Sequence, residues 1–436
     1  MFIFPSIDLV ANRTLGYRAL RVLAPCAALL TLASVCGTRP VRADYRAKAE
    51  EITDFIQRTF YDEKAGLYRP AVPPEPKALP YDFMWANGVQ FSALVAATRA
   101  NPARYRPTLD AFTRGLERYW DKDAPVPGFD AYFASTTGDD KYYDDNAWLV
   151  LGFMEAYRTT RDAKYLDWAR RTQNFVLSGW DDKLGGGIYW YQNKKTSKNT
   201  CINAPAAVSA LELYEVERKP ADLDWAQRLY KWTCANLQDP QDALFWDNIN
   251  LDGKIERTKW TYNTALMIRA NLGLWRALKN ARYLQEARRV ADASLARWVD
   301  PQTGAFADSA KFNHLLSEAL LLTYEATRDL KYLNAVRRHA DFGYRYVRDV
   351  QSGGYWSDWR VKNHADNDRK ILIENASVAR LFWLLTPYPD VEQLRAQAET
   401  AGRRDRTAAI GLLLQALDST AGTPKSKVPT VTAARQ

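Results

Sequence analysis

The chain is poor in the residues that most often carry metal or thiol chemistry. Its 436 residues hold three histidines, four cysteines and four methionines. His314, His339 and His364 are scattered, and no C-x-x-C pair exists, so zinc spacing and a dithiol redox motif are both missing. No G-x-x-x-x-G-K-[ST] run is present, and the glycines at 185–187 lack the strand–helix context of a phosphate-cradling loop. Asp366-Asn367-Asp368 has the charge for calcium but not the spacing of a calcium loop. No metal and no cofactor are therefore expected.

Charge of one sign is also scarce. The net charge of +9 is a mild excess, and no basic run is interleaved with aromatics, which argues against a nucleic-acid partner. The apolar run Val22–Val35 follows Arg13, Arg18 and Arg21 and is too short to anchor in a bilayer. With Val41-Arg42-Ala43 as a small-residue cleavage site, 1–43 reads as a signal peptide. Its removal takes away five Arg and one Asp and lowers the charge to about +5. Export to the periplasm or the exterior is the expectation, without stable membrane insertion. Ser419–Gln436, rich in Thr, Pro, Ala and Lys, reads as a disordered tail, leaving 44–418 as one folded domain that is expected to be monomeric. Cys201 and Cys234 flank one helical hairpin near the same end; they either pair or stay as free thiols.

What the chain has is a repeat. Asn87, Asn146, Asn203, Asn263, Asn313 and Asn375 recur at steps of 59, 57, 60, 50 and 62 residues, each opening an apolar, helix-forming stretch. Each stretch is followed by a short charged turn (158–164, 216–222 and 326–331 among them) and an amphipathic helix. The other connections are long and rich in Gly and Trp. The helices after each Asn are apolar almost all round, as in Ala147–Met154, and so belong to an inner ring. The alternate helices are one-sided, as Ile52, Phe55, Ile56 and Phe60 show, and form an outer ring. Six such hairpins closing on themselves make an (α/α)6 barrel, an all-α toroid whose long loops gather at one end around a cleft. The six Asn are expected to cap the inner helices. Short aromatic runs beside glycine (185–191, 244–247, 353–359) predict small hairpins that raise the cleft wall. Aromatics make up 13% of the chain, and those in the loops suit a ligand with apolar faces such as a sugar.

Chemistry concentrates at Tyr142-Tyr143-Asp144-Asp145-Asn146-Ala147-Trp148. Adjacent residues at a helix start diverge by about 100°, which permits the carboxyl separation of about 5–5.5 Å used by retaining glycosidases. Mutual repulsion and burial among aromatics raise one pKa, leaving one carboxylate and one carboxylic acid. Two capping carboxylates would look the same in sequence, and Asp139-Asp140 and Asp181-Asp182 are equally acidic.

The segment Tyr142–Trp148 resembles the Asp-Asp signature of glycoside hydrolase family 76, the endo-α-1,6-mannanases. Gly185–Trp190 is similar to that family's glycine–aromatic motif, with Tyr189 where Trp is frequent. The stretches 198–207 and 260–263 resemble its next two inner-helix starts. The resemblance runs from about residue 49 to 385. It implies hydrolysis of mannose-containing polysaccharide with retention, Asp144 as nucleophile and Asp145 as general acid/base. Trp190, Trp246 and Trp356 would be stacking platforms, and Asn203, Asn263 and Asp247 would hold sugar hydroxyls. Tyr143, Asn146 and Tyr262, within those motifs, would complete the substrate contacts. A transglycosidase, an epimerase or lyase on the same toroid (His314 begins an inner helix), and a non-catalytic glycan binder remain open from sequence.

Overall fold

The computed structural model describes residues 44–133, 141–359, 369–389 and 411. The expected signal peptide and tail, Asp139-Asp140, His364 and 366–368 lie outside these. No helix among the described residues is long and apolar enough to cross a membrane.

Twelve α-helices of the described chain form two concentric rings. The inner ring is α2 (Met84–Ala100), α4 (Tyr143–Thr160), α6 (Thr200–Glu217), α8 (Thr261–Leu278), α10 (Ala310–Thr327) and α12 (Leu372–Leu385). The outer ring is α1 (Tyr45–Phe60), α3 (Pro102–Leu116), α5 (Ala163–Ser178), α7 (Pro220–Leu237), α9 (Ala281–Trp298) and α11 (Leu330–Phe342). Each inner helix packs on its two inner neighbours, and α12 packs back on α2, so the toroid closes. Five hairpins are consecutive in sequence. The sixth is made from the ends of the chain, α1 lying against α12. The periodicity is explained by burial: α6 is buried at nearly every position from Thr200 to Leu213, whereas α1 buries Ile52, Phe55, Ile56 and Phe60 and leaves its charged face outside.

Four of the five short turns are two residues long; the first is the single residue Asn101. Arg161, Arg218, Lys279 and Arg328 end inner helices in the left-handed conformation, at φ of 53–60°. Asp162, Asn280 and Asp329 then cap the next helix through their side chains.

The long connections repeat as well. Each outer helix leaves through a narrow antiparallel pairing: Tyr61 with Tyr68, Trp120 with Phe129, Trp180 with Ile188, Gln238 with Phe245, Val299 with Phe306 and Arg348 with Tyr355. These are the expected small hairpins. The next residue is Asp in all six units (62, 121, 181, 239, 300 and 349). In four of them a lysine two residues before the inner helix folds back onto it: Lys141 on Asp121 at 2.6 Å, Lys198 on Asp181 at 2.6 Å, Lys259 on Asp239 at 2.5 Å and Lys370 on Asp349 at 3.1 Å. Three of these lysines are almost wholly buried and Lys259 nearly so. Each staples the entry and exit of one loop. Ala71–Val72 pairs with Lys370–Ile371, joining the first loop to the last.

The opposite end of the barrel is closed by charge. Arg99, Glu155, Arg380, Glu318, Arg269, Glu212, Arg158, Glu215 and Arg276 form an unbroken alternating chain at 2.6–3.4 Å. It draws on all six inner helices. Together with Val89, Leu151, Val208, Leu211 and Leu315, these nine side chains line a cavity of about 370 Å³.

Candidate active site

The expected asparagine caps are not caps. Asn87, Asn146, Asn203, Asn313 and Asn375 are the fourth residues of their helices, and none of the six inner-helix N-caps makes a side-chain capping bond. Asn146 accepts the Phe129 N–H at 2.8 Å and donates to the Phe129 carbonyl at 3.0 Å and to Tyr142 at 2.9 Å. Asn203 does the same with Ile188 at 2.7 and 3.0 Å, and Asn375 with Tyr355 at 2.8 and 3.4 Å. Each clamps the returning strand of the hairpin before its helix. Asn146 and Asn203 are fully buried with their amides committed, so neither is a sugar contact, contrary to expectation.

The α8 helix shows how the register works. Its fourth residue is Thr264, which takes the Phe245 N–H at 3.4 Å, so Asn263 is one position early. Asn263 therefore matches Asp145, not Asn146. By the same register, Trp85, Asp144, Cys201, Tyr262, Lys311 and Ile373 are the second residues of the six inner helices.

In α4 the clamp fixes the backbone immediately after the acidic pair. Asp144 is held by three donors: its own neighbour's N–H, from Asp145, at 3.0 Å on Oδ1, and on Oδ2 the Trp190 indole Nε1–H at 2.9 Å and the Cys201 thiol at 3.2 Å. Burial pushes the Asp144 pKa up, and these hydrogen bonds, which favour the anion, restrain the rise. Asp145 is 9% exposed, and among the described residues no group donates to its carboxyl. Burial, and then the charge of Asp144, push its pKa well above the usual carboxylate range. The two neighbours thus sit in opposed environments: one stabilised as an anion, the other as an acid.

Trp190 reaches Asp144 because its loop is sewn to α4. Its carbonyl accepts the Tyr143 N–H at 3.0 Å, and its ring lies 5.0 Å from Tyr142. It is 41% exposed, so a ring face is available beside the carboxylates. Asp247 accepts Asn263 Nδ2 at 3.4 Å and Asn248 Nδ2 at 2.9 Å, and burial raises its pKa. Burial, and then the Cys201, Asp247 and Asp144 groups, push the Tyr262 hydroxyl pKa up. Tyr262 stacks on Phe312 at 4.3 Å and Phe312 on Trp85 at 5.5 Å, giving the site an aromatic bed across the barrel.

Of the residues expected at the site, Asp144, Asp145, Trp190, Asp247, Tyr262 and Asn263 come together. Four do not. Besides Asn146 and Asn203, Tyr143 is 2% exposed and stacks on Phe175 of the outer ring at 4.9 Å. Trp246 lies under Arg257, 5.3 Å from its ring, with a hydrogen bond toward Asp239. Trp356 carries the buried Lys370 ammonium 3.1 Å from its ring centre. Arg257 over Trp246 and Lys370 over Trp356 each cover a ring face that a sugar would otherwise use.

One site residue escaped sequence reasoning. Cys201 is a free, buried thiol, as is the partly buried Cys234, so the bridge is not formed. Aligning the second residues of the inner helices would have set Cys201 beside Asp144. No cluster of three or more metal-ligating side chains occurs among the described residues.

An aromatic-lined, loop-walled helical toroid with paired carboxylates at an inner-helix start belongs to the glycosidase class. The family model for glycosyl hydrolase family 76 matches residues 44–368, and the chain belongs to that family. A family 76 α-mannanase of Bacteroides thetaiotaomicron superposes with a TM-score of 0.74 at 25% identity, over 79% of this chain and 96% of that one. An inactive variant of the α-1,6-mannanase of Salegentibacter, with two adjacent aspartates changed to asparagine and α-1,6-mannotriose bound, superposes at 0.68 with 23% identity, over 79% and 99%. The meiotically up-regulated gene 191 protein of Schizosaccharomyces pombe is 25% identical over 315 residues, 63% of this chain and 69% of its own.

Proposed function

We propose that this glycosidase hydrolyses α-1,6-linked mannan with retention of configuration, by double displacement on Asp144 and Asp145. The observation that carries the reading is the asymmetry of the pair. Asp144 accepts three hydrogen bonds that favour its anion, as a nucleophile requires; Asp145 has no described donor and is kept protonated by burial and by its neighbour's charge. The linkage is supported by the fold relative that holds α-1,6-mannotriose and is inactive once two adjacent aspartates are replaced.

In the first step the Asp144 carboxylate attacks the anomeric carbon. The bond to the leaving oxygen breaks, and Asp145 gives that oxygen its proton. In the second step Asp145 takes a proton from water, the hydroxide attacks the anomeric carbon, and the Asp144 ester bond breaks. Trp190 positions the nucleophile through Nε1 and offers a face to an adjacent sugar. Asp247, held by Asn263 Nδ2 at 3.4 Å, is the group that would take a sugar hydroxyl; Asn263 itself is wholly buried.

The epimerase and lyase reading would place a His or Tyr in the acid/base roles. Of the histidines among the described residues, His314 and His339 are buried, and burial drives both pKa values down to about 3, which argues against either in that role. The test is product analysis on linear α-1,6-mannan, with the anomeric configuration followed by NMR. Release of the α-anomer first supports the reading, and the β-anomer first overturns it.

A further inference from the structure

The thiol of Cys201 is the one donor to the Asp144 carboxylate that comes from another inner helix. It occupies the second position of α6, the place Asp144 holds in α4, so the two side chains converge from equivalent points of adjacent units. The Sγ–Oδ2 distance is 3.2 Å, and Oδ2 also takes Trp190 Nε1 at 2.9 Å. Cys201 is 5% exposed, and its surroundings are acidic: Asp144 and Asp145 from α4 and Asp247 from the neighbouring loop. Any second carboxylate here would repel the nucleophile. A thiol in this field stays protonated at every pH of interest and remains a donor.

We propose that Cys201 is a positioning residue for the reaction: with Trp190 it fixes the rotamer of Asp144 and stabilises its ionised form. This deepens the retaining-glycosidase reading and rests on it. The choice of sulfur has a chemical logic. S–H is a weak donor, so it orients Oδ2 without withdrawing as much electron density as a second N–H would. Indole from the loop and thiol from the helix also fix the oxygen from two separate parts of the barrel. Small loop movements then leave the carboxylate in place.

The experiment compares Cys201→Ala, Cys201→Ser and Asp144→Asn on an aryl α-mannoside across pH. Loss of the donor in Cys201→Ala should lower kcat/KM about tenfold and move the acidic limb of the pH–rate profile upward by up to roughly one unit. Cys201→Ser keeps an O–H donor and should restore both the rate and the limb. If the alanine variant keeps the wild-type profile and rate, the inference fails. It also fails if alanine and serine variants lose activity equally with the acidic limb unmoved, since that is a packing effect. The Asp144→Asn arm separates the two claims: a fully active Asp144→Asn removes the mechanism, whereas an inactive one beside an unaltered Cys201→Ala removes only the role of the thiol.

Discussion

Asn146 grips both backbone groups of a single residue, Phe129, with its amide oxygen on the N–H and its amide nitrogen on the carbonyl. The grip lies one position after the acidic pair, so it determines where Asp144 and Asp145 point. It also removes two buried backbone groups from the desolvation penalty.

Asn146→Ala should therefore cost about 2–4 kcal/mol of stability, since the lost bonds leave buried partners unsatisfied. Asn146→Asp keeps the acceptor but loses the two donated bonds and should fare no better. Thermal unfolding of both variants measures this. A capping asparagine would predict only about 0.5–2 kcal/mol and an aspartate that substitutes well.

The toroid was readable because burial imposes a 3.6-residue pattern and the unit repeats six times; the Asn spacing located every inner helix within three residues of its start. The function of the asparagines was not readable. A polar residue at a helix start looks like a cap whether it precedes the helix or sits inside its first turn. At α8 the distinction decided the outcome: the repeat followed Asn263, while the structural position belongs to Thr264. The lysine staples at 141, 198, 259 and 370 were missed because their aspartate partners lie about 17 to 21 residues away across a loop. Asp144 and Asp145 were legible as a pair. Cys201 was not, because its partner lies 57 residues away, one full repeat.

The ion chain at the closed end makes a second expectation. Arg380 is 3% exposed and pairs with Glu155 at 2.8 Å and Glu318 at 3.3 Å. Arg380→Met should destabilise the barrel by about 1–3 kcal/mol, because it leaves Glu155 and Glu318 with one cation each, Arg99 and Arg269, in place of two. Replacing Arg380 and both glutamates by apolar residues should recover much of the loss. Chemical denaturation of the single and triple variants decides it; a single variant with unchanged midpoint would show the chain to be ornamental.

Processing of the N-terminus is open to direct measurement. We propose export with cleavage before Asp44, which is the side-chain cap of α1 through Arg46 N–H at 3.0 Å. Mass spectrometry of protein secreted by its host should give Asp44 as the first residue. Detection of the intact chain from Met1 in the exported fraction would refute cleavage.

The pH dependence of activity follows from the raised pKa values. Turnover requires Asp144 ionised and Asp145 protonated. The shift of Asp144 carries the acidic limb above the ordinary carboxylate range, and the larger shift of Asp145 places the alkaline limb higher still. The profile of kcat/KM should be a bell. Trp190→Phe removes one donor to the Asp144 anion, makes it harder to ionise and so moves the acidic limb upward. The alkaline limb, which belongs to Asp145, should move little.

The sharpest expectation concerns the two carboxylates themselves. Asp144→Asn removes the nucleophile while its amide occupies the same space, so activity should collapse with little change in melting temperature. Asp145→Asn should also cripple turnover of mannan, but much less with an aryl leaving group that needs no proton. Azide should then partly rescue the Asp145 variant, because it needs no base to attack the glycosyl-enzyme, and the mannosyl azide keeps the anomeric configuration. In the Asp144 variant no such ester forms, so azide attacks the substrate directly and the product is inverted. NMR of the two azides distinguishes the roles. Retained configuration from the Asp144 variant, or more than about a tenth of wild-type activity on mannan from either variant, would overturn the assignment of that residue, since loss of a true nucleophile or acid costs more than one tenfold step in rate.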